Sequence, residues 1–222
     1  MTQPRIAVTH YCERVSDAFW AEPFNAVTNL AFILAAVTLV KALRQSGEPI
    51  RGLWDLWLLT GLIVAVGTGS FLWHTLATPW TELADVIPIL LFLSLFLLSF
   101  LVRVANLDPG WVAFWFLLYQ TVNFTLQAAL PADLLNGSIF YLPTWVSLLI
   151  ITLYCKTTNK PCGSRLLLAT LIFTLSLTLR TIDTAICSIW PLGTHFIWHL
   201  LNGLTLYLTM GILLPKRNEA RR

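Results

Sequence analysis

The chain has 222 residues, of which 57% are apolar and only 11% charged. A water-soluble domain carries about a quarter of its residues as charged side chains, so this composition excludes a soluble globular fold. The net charge of +3 is small, and nothing in it calls for a nucleic-acid partner.

The first 24 residues, MTQPRIAVTHYCERVSDAFWAEPF, are polar and lack the apolar centre of a signal peptide. They predict an extracytosolic N-terminal segment at 1–24. Seven apolar runs follow, at about 25–44, 53–76, 82–103, 110–130, 137–155, 165–190 and 194–214. Each is long enough to cross roughly 30 Å of hydrocarbon as a helix, and none has the short alternating pattern of a membrane β-barrel strand. The loops are short and no internal repeat is evident. The expected fold class is an all-α integral membrane protein: a seven-transmembrane helix bundle, one domain over 1–222, with a basic tail at 215–222.

Basic residues set the expected orientation. Arg5 and Arg14 lie on the side of the N-terminus. Eleven lie on the opposite side: Lys41, Arg44, Arg51, Arg103, Lys156, Lys160, Arg165, Lys216, Arg217, Arg221 and Arg222. That imbalance places the N-terminus outside and the C-terminus in the cytosol. The expected location is thus a membrane that the chain crosses several times, with the outer ends of the second and seventh runs on the extracytosolic side.

With this orientation, polar residues gather at one depth. Ser70 and His74 are four apart and share a face near the outer end of the second run. Asp85 follows near the outer start of the third. His195 and His199, again four apart, open the seventh. A lone histidine near a helix end is ordinarily interfacial or hydrogen-bonded. Three at one depth in apolar surroundings, with an aspartate, point to a shared ion. Three imidazole nitrogens with an open fourth position describe a catalytic zinc site.

Other polar residues leave alternatives open. Glu22, Asn25 and Asn29 line one face where the first run begins, with Glu13 and Asp17 ahead of them. They either complement a helix N-terminus or offer oxygen ligands to a hard cation such as calcium. Cys155 and Cys162 fall on the cytosolic side; Cys12 and Cys187 share the outer side, where a disulfide can form. Arg180 and Asp183, three apart in the sixth run, either neutralise each other, or Asp183 accepts a hydrogen bond from a metal-bound imidazole.

These motifs occur in a specific order. Cys-Glu near the N-terminus is followed by E-x-x-N-x-x-x-N (22–29), S-x-x-x-H (70–74), Asp85 eleven residues beyond that histidine, D-x-x-x-C (183–187) and H-x-x-x-H (195–199). The order resembles the alkaline ceramidases and their bacterial relatives, in the superfamily that includes the adiponectin receptors, over nearly the whole chain. The resemblance implies that His74, His195 and His199 bind zinc and that Ser70 and Asp85 contact the water at the metal. It also implies a Cys12–Cys187 disulfide, and calcium held by Glu13 and Glu22. His10, Tyr11 and Val15 depart from the family pattern of Asp-Trp before Cys-Glu and Asn after it. Two oxygen-bearing side chains are lost thereby, and Asp17 is the residue that could compensate.

The expected activity is zinc-dependent amide hydrolysis of ceramide or a related N-acyl lipid, giving a fatty acid and a long-chain base. Asp85 would act as acid and base, Ser70 as a hydrogen-bond donor, and Tyr141 as a further oxyanion donor. A membrane lipid is the expected substrate, and no protein partner is called for. The alternatives are a hydrolase of another acyl lipid, and a heptahelical receptor or lipid-binding protein with a structural zinc.

Overall fold

Helices form all the regular secondary structure among the described residues of a computed structural model, which are 11–215. Arg5, His10, Lys216, Arg217, Arg221 and Arg222 lie outside them, as do the start of the expected N-terminal segment and almost all of the expected tail. The helices are α1 (Pro23–Thr28), α2 (Leu30–Gln45), α3 (Trp54–Leu76), α4 (Pro79–Arg103), α5 (Pro109–Ala129), α6 (Leu142–Thr157), α7 (Gly163–Ile182) and α8 (His195–Leu213).

Boundaries shift from the apolar runs where local chemistry intervenes. The first run divides because the Asn29 amide donates to the Asn25 carbonyl at 2.9 Å, a side-chain bond that competes with the helical ladder. The third begins early, at Pro79, because Thr78 and Thr81 form a reciprocal capping box with proline in the first turn. The fifth becomes helical only at Leu142, after the short turn Ser138–Tyr141. The sixth stops at Ile182 instead of 190, and the chain turns through Thr184–Ile186.

Six helical segments are long and apolar enough to cross a membrane: Pro23–Gln45, Ile50–Leu76, Pro79–Arg103, Ser138–Thr157, Gly163–Ile182 and His195–Leu213. Helix α5 has the length, at 21 residues, but Gln120, Asn123 and Gln127 dilute its apolar character. This arrangement fits a multi-pass membrane protein. Leu39, Leu56, Leu59, Ile63, Leu166 and Met210 are fully enclosed. Leu34, Leu117, Phe124, Leu153 and Leu171 are exposed on the outside, an apolar surface that suits lipid and would be a liability in water.

Helices α2 to α8 pack in chain order, and α8 closes the ring against α2; α1 lies across α3 and α8. At one end, Asp55 at the start of α3 takes a forked contact from Arg103 at the end of α4, at 2.5 and 2.7 Å, and a 2.7 Å bond from Ser99. Such bidentate pairs hold geometry well. At the other end, a disulfide joins Cys12 to Cys187, tying the N-terminal segment to the turn after α7.

Asp183 lies beside that bridge and departs from both expected roles. It pairs neither with Arg180 nor with an imidazole nitrogen. Its carboxylate accepts the backbone N–H groups of Cys12 (3.3 Å), Thr194 (2.6 Å) and His195 (2.9 Å). The first amides of a helix lack intrahelical acceptors, and Asp183 supplies them for α8. Gly193, at φ +66°, allows the tight return; a Cβ there would lie 2.9 Å from the Cys12 Cβ. Alkylation of unreduced, denatured protein should label two thiols, Cys155 and Cys162; mass spectrometry finding four labels would refute the Cys12–Cys187 bridge.

Candidate metal centre

His74 lies in the last turn of α3, and His195 and His199 occupy the first two turns of α8. Their ring centroids are 4.7–5.2 Å apart, and all three are buried. One ligand-capable nitrogen from each lies within 4.8 Å of the others. This is the one such group of histidine, cysteine or acidic side chains among the described residues.

Partners on the far side of two rings determine which nitrogen is left. The Nδ1 of His74 lies 2.5 Å from Glu22 Oε2. An ionised carboxylate only accepts, so Nδ1 donates to it and Nε2 is the nitrogen left to face a ligand. That Nε2 is buried without a hydrogen-bond partner. The Nδ1 of His199 lies 3.1 Å from Thr28 Oγ1. The Thr28 hydroxyl donates to the Phe24 carbonyl at 2.7 Å, so here too Nδ1–H donates and Nε2 remains. The Nδ1 of His195 is likewise buried and unpartnered, and its ring stacks on Tyr11 at 3.9 Å. Buried polar atoms are rarely left unpaired in proteins, because each costs about 1–3 kcal/mol. Neutral imidazole lone pairs converging in this way fit a metal ion.

Ser70 stands one turn before His74 and lines the same cavity as Asp85 of α4. The closeness of α3 and α4 here has a local cause. Pro88 has no N–H to offer the Ala84 carbonyl one turn back, and that carbonyl faces Gly69. A Cβ on Gly69 would fall 2.6 Å from the Ala84 carbonyl carbon and 3.0 Å from the Asp85 nitrogen. Only glycine permits the approach.

Ser70, Asp85, His195 and His199 line one end of a cavity of about 440 Å³. Tyr141 lines it too, edge-on to Trp198 at 4.9 Å. Arg180, expected to pair with Asp183, instead donates to the Asn136 carbonyl and Ser138 hydroxyl and lies over the Tyr141 and Trp198 rings. Much of the remaining wall is apolar, including Phe92, Phe96, Leu97, Ile151 and Leu206, with Asp133, Thr144, Ser147, Asn202 and Thr205 among the polar residues in it. From Asp85 to Leu97 along α4 the cavity spans about 18 Å, at 1.5 Å per residue.

The structure does not gather Glu13, Glu22 and Asp17 into an oxygen cage. Glu13 accepts the backbone N–H groups of Phe24 (2.7 Å) and Asn25 (2.8 Å). Burial raises its pKa, opposed by those two bonds. Glu22 pairs with Arg14, His74 and Asn25. Burial would raise its pKa, but bonding to His74, Asn25 and Arg14 outweighs it and the net shift is downward. Asp17 is exposed. The roles of Glu22, Thr28 and Gly69 escaped the sequence pattern: the contacts of Glu22 and Thr28 span 52 and 171 residues, and Gly69 acts through the Ala84 backbone.

Fold and site together describe a polytopic membrane protein with a buried three-histidine group, capable of holding a metal, at the polar end of an apolar cavity. The family model for ceramidases matches residues 3–219, nearly the whole chain, and the protein belongs to the ceramidase family. Membership implies a hydrolase acting on a lipid. Comparison with curated proteins gives no match.

Gly69→Ala should cost about 1–3 kcal/mol through overpacking and lower the unfolding temperature in detergent. Gly61→Ala, where a Cβ meets nothing within 4 Å, should leave that temperature unchanged or slightly raised. Equal behaviour of the two variants would show that the α3–α4 approach is not sterically tight.

Proposed function

We propose that this protein is a zinc-dependent amide hydrolase that cleaves ceramide or a related N-acyl lipid within the membrane. The reading is carried by three buried imidazoles close enough to share an ion, two of which line a long cavity together with Ser70 and Asp85.

His74, His195 and His199 would hold the ion, and the three protein ligands leave a coordination position open, as catalytic zinc requires. Zinc in such a site supplies Lewis acidity at neutral pH, acidifying water and polarising a carbonyl. Asp85 takes the proton as water adds to the amide carbon and passes it to the nitrogen as the C–N bond breaks, leaving a carboxylic acid and an amine. Ser70 offers its hydroxyl proton to the water or the developing oxyanion, and Tyr141, which lines the same cavity, is a further donor for that oxygen. The apolar wall takes an acyl chain, which satisfies the cavity as water would not.

The protein acts, on this reading, as one seven-span domain, with α5 as the seventh span alongside the six more apolar ones. The histidines lie at the bundle end opposite Arg44, Arg103, Lys156 and Arg165. Positive residues favour the cytosolic face, so the N-terminus and the site are extracytosolic. In a bacterial cell that describes the inner membrane, with substrate entering from the outer leaflet.

Purified protein should carry one zinc per chain and release long-chain base from labelled ceramide. His74→Ala should lose both metal and turnover. Ser70→Ala should keep the metal and slow turnover roughly 100- to 1,000-fold. Release from an acyl ester alone would assign a different lipid, and full turnover by Asp85→Asn would make the metal structural.

A further inference from the structure

Arg14 is an arginine enclosed at the extracytosolic end, 5% exposed, and its guanidinium reaches three separate segments. Nε donates to Glu22 Oε1, Nη2 to the His74 carbonyl at 2.9 Å, and Nη1 to the Ser16 carbonyl at 3.4 Å. The His74 carbonyl is among the last of α3, where carbonyls lack intrahelical donors and the helix end attracts a cation. Arg14 thus grips His74 at its backbone, while Glu22, which Arg14 also holds, grips the same residue at Nδ1.

The calcium implied by the family resemblance does not fit this cluster. Calcium takes six to eight oxygens at 2.3–2.6 Å. Both oxygens of Glu13 are engaged by backbone N–H groups. Both oxygens of Glu22 are engaged by Arg14, His74 and Asn25. Asn25 turns an amide N–H toward Glu22, a donor where a ligand oxygen would be needed. The side chains of Tyr11 and Val15 provide no carboxylate or carboxamide oxygen, the Tyr11 carbonyl accepts the Arg14 N–H, and Asp17 is exposed. A guanidinium already balances the Glu22 charge, and a divalent ion beside it would be repelled.

We propose that Arg14 is the built-in cation of the N-terminal cluster and a positioning residue for His74, holding Glu22 on the ring so that the histidine centre works without calcium. The inference rests on the zinc reading of the three histidines. Partners that orient a metal-ligating imidazole commonly matter 10- to 100-fold in metal affinity. Arginine suits the task because its planar fork serves several acceptors in a fixed geometry, where lysine is a point charge on a flexible stem.

The test uses full-length protein in detergent. For the unaltered chain, a calcium-selective chelator should leave turnover unchanged, and added calcium should leave the unfolding temperature unchanged, because a ligand that does not bind the folded state cannot stabilise it. A rise in unfolding temperature with calcium, or turnover restored by it, overturns the proposal. For Arg14→Gln, zinc affinity measured by competition with a chromophoric chelator should fall about 10- to 100-fold, with kcat reduced and KM little changed. Arg14→Lys should recover part of the affinity. Should Arg14→Gln fail to accumulate, the calcium titration and Arg14→Lys decide. Undiminished zinc affinity in Arg14→Gln overturns this inference alone; an unaltered chain that binds no zinc overturns the underlying reading and this inference with it.

Discussion

The hydrogen bond between Glu22 and the Nδ1 of His74 is the contact on which the rest of the site depends. It crosses from the N-terminal segment to the end of α3 at 2.5 Å, far from water. By occupying one ring nitrogen it commits the other, and Thr28 does the same for His199. One nitrogen each of His74 and His199 is thereby left for the centre, where one of His195 joins them. Burying such nitrogens without a partner is costly, and a metal ion is a partner that this group could hold.

Support for this centre comes from backbone as much as from side chains. The disulfide and Asp183 bring Cys12 and the first turn of α8 to one point, which brings Tyr11 against His195. Gly69 and Pro88 bring α3 and α4 together, with Ser70 and Asp85 lining one cavity. The opposite end of the same two helices is clamped by Asp55 and Arg103. Between these fixed ends, α5 contributes only one buried residue, Asn123. The cavity is thus walled by closely packed α3, α4 and α8 on one side and by the sparsely buried α5 on another.

Much of this was legible beforehand. Apolar runs of membrane-spanning length predict helices because lipid leaves the backbone no other way to satisfy its hydrogen bonds. Spacing of four residues places Ser70 with His74, and His195 with His199, on common faces. The early stop of α7, the break at Asn29 and the late start of α6 were not legible, since each depends on a side chain or turn overriding an apolar pattern. Glu22 reads from sequence as an acidic residue near a helix start, equally suited to a cap or a cation. Its actual partner is 52 positions away, and no periodicity reports a contact of that range.

The sequence by itself determined that the chain is a helical membrane protein, and which polar residues share a helix face and a depth. Those properties follow from residue type and local spacing. Only the tertiary structure decided that Arg14 pairs with Glu22, that Asp183 caps a helix, and that Arg180 faces the cavity. Each of these depends on which segments the ring of helices brings within about 3 Å, the reach of a hydrogen bond, and that distance is set by the whole fold at once.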